Sequence, residues 1–345
     1  MPVCVILNSR YPDFSIERSV LERLGITVLP VSAVEGVSAD RLDEAGVIRA
    51  AEKADAVLVN LAPFTSRVID ALPGLKVISR YGVGLDNIDT AHAHSKGIAV
   101  LNVPDYCTEE VAEHTLALML DLLRGVTTRN AGVKLGQWNQ EDAQYTLRGQ
   151  TLGIIGYGAI ARAVVERCIP FKPARILVYS RHAEEARFRA GSGPGTARGE
   201  PASVSDAEHR IASLSKLYAV PLDFVPLDAL FETSTIISLH CSLSEQTKHL
   251  LYDSSFSRMK KGIFIVNTAR GALIDFDALE RAVRNGTVAG AGLDVFEKEP
   301  PDDILERLRN PAFLVTDHTA FRSVRSVGEL KRRCAENAAR GLGLL

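Results

Sequence analysis

Apolar positions fall in short runs separated by stretches of helical spacing along most of the chain. Residues 3–7, 26–29, 56–59, 77–78 and 98–101 are strand-length and β-rich, and the segments between them repeat apolar residues at the period of a helix. That alternation predicts an α/β fold, a parallel sheet with helices on both faces. Gly25 and Gly97 each stand between a helical stretch and a strand, where a C-terminal glycine cap belongs. Residues 108–124 predict a long helix, with Glu109 and Glu110 in its first turn, Arg124 in its last and Gly125 behind it. Val111, Leu116, Leu118, Met119 and Leu122 make that helix apolar enough to be largely buried, as a bridge into a second domain.

The pattern weakens over residues 126–150, which hold the only tryptophan, Trp138. They read either as an arm against a partner subunit or as an exposed loop around one packed Trp. Residues 151–163 then read as strand, glycine turn and helix, and residues 175–179 as the next strand. Residues 183–216 have a core rich in Gly, Pro, Ser and Ala without apolar period, which predicts a flexible insertion. Beyond it, strands are predicted at 234–239, 263–266, 288–295 and 313–315, and helices at 254–260 and 275–285, the last closed by Gly286.

The glycine turn carries the first chemical signal. Gly156 allows a sharp turn, Tyr157 follows, and Gly158 has no Cβ to keep a pyrophosphate from the amides where Ala159 and Ile160 open the helix. Ala161 takes the position where a small residue lets helix and strand pack closely. An ordinary strand-to-helix turn fits the same letters. An NAD site wants an acid at the end of the following strand, but Ser180 and Arg181 stand there, and a hydroxyl and a guanidinium suit the 2′-phosphate of NADP. Arg181 stacked on adenine, or merely solvated, is the alternative. Earlier in the chain, Gly82 and Gly84 just past a strand end form a loop whose amides could hold an anion; a plain turn fits equally.

Length and composition bound what these motifs serve. A chain of 345 residues has room for two domains, and a formal charge of −2 implies no nucleic acid and no anionic membrane as partner. The 5 cysteines, Cys4, Cys107, Cys168, Cys241 and Cys334, are scattered and show no CxxC spacing, which argues for a reducing compartment and against a metal site. No signal peptide or membrane-spanning run is read, so the expected location is the cytoplasm.

Three residues at the ends of the last strands complete the chemistry: Arg270 in NTARGALID, Glu299 in GLDVFEKEP and His318 in VTDHTAF. Strand ends along one sheet edge converge in space. An Arg, a Glu and a His there match the oxidation of a 2-hydroxy acid: the guanidinium holds the carboxylate in a fork, the imidazole takes the hydroxyl proton as hydride leaves carbon, and the carboxylate orients the imidazole. Taken singly, each could equally be a surface cation, a loop acid or a packed histidine.

These segments, together with RYGVGLDNID, PDYCTEEVAEHTLALML and GIIGYGAIA, resemble the D-isomer-specific 2-hydroxyacid dehydrogenases, in that family's order and spacing over residues 78–320. The likeness is nearest to its D-3-phosphoglycerate dehydrogenase-like members and to the C-terminal binding protein co-repressors. It implies two Rossmann-like domains, one flavodoxin-like and one dinucleotide-binding, with the active site in the cleft between them. Residues 1–101 and 321–345 would form the substrate domain, and residues 102–320 the cofactor domain with a dimerisation arm at 126–150. Arg270 would bind the substrate carboxylate, His318 would be the acid/base and Glu299 its partner. The backbone of Gly82, Val83 and Gly84 would help hold the carboxylate; no motif fixes the residues that size the pocket, for which Tyr81, beside the glycine loop, is the first candidate and Phe321 the second. Asp294 would meet the nicotinamide carboxamide, while Thr115, His240, Cys241, Thr268 and Ala269 would line the cofactor. Of two neighbouring acids, Glu299 rather than Glu297 matches the family position.

The resemblance implies an NAD(P)-dependent oxidoreductase, NADP favoured, working as a homodimer on a small 2-hydroxy or 2-keto acid. A dinucleotide-sensing protein of the co-repressor type is the alternative. Two departures stand out. Asp317 replaces the proline usual before the catalytic histidine, and, pointing inward, would shift the pH optimum upward; Ser180 replaces an Asp common in the family.

Overall fold

The computed structural model describes residues 1–7, 11, 13–33, 42–138, 141, 143–181 and 206–345. The chain divides into two compact units, Met1–Tyr106 with Ser323–Leu345, and Cys107–Arg322. Each is a parallel sheet with helices packed on it. Among the described residues no helix is long and apolar enough to cross a membrane.

In the first unit β1 (Val3–Leu7), β2 (Thr27–Pro30), β3 (Ala56–Val59), β4 (Val77–Arg80) and β5 (Ala99–Leu101) lie in the order β2-β1-β3-β4-β5. Gly25 and Gly97, at φ 73° and 75°, end the helical stretches before β2 and β5 in the left-handed conformation that favours glycine. The last helix of the chain, Val324–Gly341, packs on this sheet through Leu330, Cys334, Ala335 and Ala338. Its approach is close. A Cβ on Gly341 would stand 2.7 Å from a Val77 methyl, and Ser79 Oγ donates to the Cys334 carbonyl at 2.8 Å.

A polar group is sealed inside this unit. Glu17 is fully buried, accepts a hydrogen bond from the Tyr81 hydroxyl at 2.8 Å, and lies 3.5 Å from Lys331 Nζ, which also donates to the Asp13 carbonyl. Burial pushes the Glu17 carboxyl above its ordinary value, although Tyr81 and Lys331 pull it down. The folded chain therefore holds this proton more tightly than the unfolded one, and stability is lost as pH rises through the raised value. Glu17→Gln should gain stability relative to the wild type as pH rises above the ordinary carboxylate range in denaturant titrations; a difference flat with pH would mean that burial leaves the Glu17 carboxyl at its ordinary value.

The second unit contains β6 (Thr151–Ile155), β7 (Arg175–Tyr179), β8 (Leu222–Phe224), β9 (Ile236–Leu239), β10 (Ile263–Asn267), β11 (Val288–Leu293) and β12 (Phe313–Val315), in the order β12-β11-β10-β9-β6-β7-β8. The helices Thr108–Arg124 and Ala159–Cys168 bury Leu118, Met119, Val164 and Val165 in one apolar cluster. The helices Leu227–Thr233 and Phe276–Arg284 bury Leu230, Phe231 and Leu279 in a second cluster. Progression from β6 runs outward through β7 and β8, then restarts at β9 in the other direction. The crevice between the carboxyl ends of β6 and β9 is thus a topological switch point, where open α/β sheets bind ligands.

Two expectations need correction, and two elements were not expected. Part of the insertion expected at 183–216 lies outside the described residues, but Asp206–Tyr218 is an α-helix. Ile211 is buried in the core, with Leu214 and Tyr218 on the same face packed against it, a period hidden behind the Gly/Pro-rich stretch. The segment 126–150 begins as a helix, Val126–Lys134, and Trp138 is 78 % exposed, so no loop is built around a packed tryptophan. Strand β8 and the helix after it were not predicted; three half-buried edge residues are too few for a period.

Candidate active site

At the switch point the glycines act differently. Gly156 has φ 93°, and a Cβ there would sit 2.7 Å from the His240 carbonyl carbon and the Cys241 nitrogen. Only glycine lets the turn come this close to the end of β9. Nothing lies within 4 Å of where a Gly158 Cβ would be, and Gly158 opens the helix Ala159–Cys168 without a side-chain cap. The first amides of that helix therefore face open space, the arrangement that receives a pyrophosphate. Ala161 is fully buried, as close helix packing requires.

A cavity of about 470 Å³ opens over the turn, lined by Gly156, Tyr157, Gly158, Ser180, Arg181, His240 and Cys241, and by Arg162, Glu208, Gln246 and Thr247. Its size, its uncovered helix amides and its place at the switch point fit a dinucleotide. The Tyr157 ring packs edge-on against Phe224, 5.2 Å between centroids, and Arg162 Nη1 donates to the Tyr157 carbonyl at 3.1 Å. Packing around His240 pushes its pKa down to about 4, so the ring is neutral at physiological pH, with Nε2 2.9 Å from Ser238 Oγ. Burial pushes the Cys241 thiol up to about 11; it meets a ligand as S–H rather than thiolate.

Arg270, Glu299 and His318 follow the ends of β10, β11 and β12, which are adjacent in the sheet. Asn267, fully buried at the end of β10, pins the next three residues: its Oδ1 accepts from Ala269 N at 3.0 Å and its Nδ2 donates to the Arg270 carbonyl at 2.9 Å. Arg270 Nη1 donates to the Ala269 carbonyl at 2.7 Å. Thr268 meets Thr115, 2.8 Å between hydroxyls. Because the Thr115 hydroxyl donates to the Val111 carbonyl at 2.7 Å, Thr268 must be the donor of the pair. Thr115 is fully buried and so braces Thr268 instead of lining the cofactor surface, a correction to its expected place.

Gly271 makes the next loop contact. A Cβ there would fall 1.9 Å from the Phe296 carbonyl carbon, so glycine permits the Arg270 loop to touch the loop carrying Glu299. Within that loop Glu299 Oε1 accepts from Phe296 N at 3.0 Å and Oε2 lies 2.7 Å from His318 Nδ1. A carboxylate has no proton to give, so Nδ1–H donates and Nε2 is left to exchange a proton. Glu297, two residues earlier, turns to His249 instead, at 3.0 Å.

His318 has φ 52°, a conformation that costs a residue with a Cβ and is held by its surroundings. Asp294, 1 % exposed, does the holding. Its carboxylate accepts from the Thr316 hydroxyl at 2.6 Å, Thr319 N at 2.8 Å and Ala320 N at 3.0 Å, and its carbonyl accepts from His318 N at 2.8 Å. Asp294 is thus the anchor of the His318 loop. Sequence reading missed His114 and Thr316, which join this anchor: His114 Nε2 is 3.0 Å from Thr316 Oγ1 and 3.6 Å from Asp294 Oδ1. His114 lies within the segment PDYCTEEVAEHTLALML, but its partners are about two hundred residues away, so the letters do not show the contact. Asp317 is exposed, which removes the premise of an inward-facing second carboxylate, and the Phe321 ring stands edge-on to His318 at 6.2 Å.

The remaining candidates, Tyr81 to Gly84, belong to the first unit, just past β4. Gly82 has φ 141°, and Val83 is exposed. Tyr81 is 1 % exposed with its hydroxyl on Glu17, so its side chain points into the unit's core, where the expectation had it beside the substrate.

A profile of the family described as D-isomer specific 2-hydroxyacid dehydrogenase, NAD binding domain, matches residues 116–197 and 202–320. The chain is 36% identical over 273 residues to a hydroxypyruvate reductase of Thermotoga maritima, covering 79% of this chain and 78% of that one. It is 35% identical over 284 residues to a glyoxylate reductase of Thermofilum pendens, covering 80% and 74%. Among solved structures it resembles a D-lactate dehydrogenase of Aquifex aeolicus complexed with NAD and lactic acid, at TM-score 0.77 and 26% identity over 99% of this chain and 96% of that one.

Proposed function

Since the chain belongs to the D-isomer-specific 2-hydroxyacid dehydrogenase family and is an NAD-linked oxidoreductase of 2-hydroxy acids, we propose that it reduces small 2-keto acids of the glyoxylate and hydroxypyruvate class, with Arg270, Glu299 and His318 as its catalytic residues. The observation that carries this reading is the His318–Glu299 pair at 2.7 Å on a loop clamped by Asp294. Arg270 grips the substrate carboxylate in a fork and draws charge toward the keto oxygen. His318 Nε2 delivers a proton to that oxygen, and takes it back in the reverse direction, while Glu299 keeps Nδ1 protonated and the ring in place. When bound, the reduced nicotinamide supplies the hydride that the carbonyl carbon receives.

Loss of absorbance at the reduced-nicotinamide band, on a panel of glyoxylate, hydroxypyruvate and longer 2-keto acids, tests the assignment. Turnover confined to aldehydes or ketones without a carboxylate would overturn the role of Arg270.

Arg181, with Ser180, admits NADP beside NAD, because a guanidinium at the ribose end of the cavity attracts the 2′-phosphate. Arg181→Asp is expected to weaken NADPH about tenfold or more with NADH little changed, read by direct binding titrations. A parallel fall in both affinities would remove the phosphate contact. The segment 126–150 acts as a dimerisation arm in the same reading, supported by Val126, Val133, Leu135, Trp138 and Tyr145, apolar side chains left 45–78 % exposed.

A further inference from the structure

Strand β7 brings no acid to the dinucleotide cavity, yet a carboxylate lines it. Glu208 reaches the cavity from the first turn of the helix Asp206–Tyr218, outside the strand-turn-helix motif. That helix is docked firmly. Arg210 Nε and Nη2 donate to the two carboxylate oxygens of Glu166 at 2.7 and 3.2 Å, a bidentate bond to the helix that starts at Gly158. Ile211, 4 % exposed, anchors the same turn in the core. Glu208 therefore has a fixed place relative to the glycine turn. Its charge is felt there: burial, and then the Glu208 carboxylate, push the Tyr157 phenol up to about 12.

We propose that Glu208 is a specificity-determining residue that keeps NAD within the range of this site, standing in for the acid that the end of β7 lacks. The inference rests on the reading of this cavity as the dinucleotide site. A carboxylate accepts hydrogen bonds from the free ribose hydroxyls of NAD. A 2′-phosphate removes one of those donors and sets its own negative charge against Glu208. Arg181 acts in the opposite sense. Two opposed charges at one cavity then admit both dinucleotides, and their balance sets the preference.

Dissociation constants for NADH and NADPH, measured by titrating the nicotinamide fluorescence, decide the matter in the wild type, Glu208→Gln and Gly158→Val. Glutamine is nearly isosteric on a half-buried first turn, and a thermal unfolding curve matching the wild type shows that the fold is kept. In Glu208→Gln, NADH should weaken about tenfold and NADPH should tighten. An unchanged NADH to NADPH ratio, in a protein whose binding Gly158→Val abolishes, would overturn the role of Glu208 alone. Binding that survives Gly158→Val would overturn the cavity assignment and the role of Glu208 with it.

Discussion

His318→Ala should lower kcat about 10²- to 10⁴-fold while the affinity for reduced dinucleotide stays close to that of the wild type. Proton delivery to the keto oxygen is lost, but the cavity at the glycine turn is lined by other residues. Steady-state kinetics and a direct cofactor titration separate the two effects. Glu299→Gln provides the internal comparison. It keeps an oxygen 2.7 Å from Nδ1 but removes the charge, so kcat should fall less than in His318→Ala. The double variant should be no worse than His318→Ala, because residues that act as one unit are not additive. Equal losses of turnover and cofactor binding in His318→Ala would instead mark a structural histidine.

Asp294→Ala should be costly in both stability and turnover. The change strips acceptors from the Thr316 hydroxyl, Thr319 N and Ala320 N in a place where Asp294 is 1 % exposed. Each buried donor left unsatisfied costs about 1–3 kcal/mol; with some relief by water, a total loss on the order of 3 kcal/mol is expected. Turnover should fall as well, since the left-handed backbone of His318 is held in part by this clamp. Urea unfolding and kcat on the same preparation read both. Asp294→Asn keeps one acceptor and should recover part of each, and a cycle with Thr316→Val should show coupling, because the two side chains share one hydrogen bond. A destabilised protein with wild-type kcat would show that the loop does not depend on Asp294.

The strand pattern was legible where apolar runs were long enough to have a period. Residues 3–7, 56–59, 175–179 and 313–315 were read with the bounds the structure shows, and the helix Thr108–Arg124 likewise. β8 escaped because it is a three-residue edge strand, half-buried throughout. The helix Asp206–Tyr218 escaped because the Gly/Pro-rich residues ahead of it dominate any window laid across them. Its consequence is chemical as well as structural: no motif singles out Glu208, and it is the packing of Ile211 that fixes this helix with Glu208 beside the glycine turn.

Local periods and close-range sterics were enough to specify parallel α/β sheet structure and a glycine turn between strand and helix, since they act between residues near in sequence, while the family was legible only as a resemblance of motifs. Which side chains meet is a different matter. Asp294 reaches across to Thr319 and Ala320, His114 to Thr316 and Thr115 to Thr268, over separations of 25 to 202 residues that only the strand order of the sheet closes. Direction was equally invisible from the letters. Tyr81 and Thr115 turned inward because each hydroxyl found a buried partner there, and a polar group buried without one costs more than the surface position would return.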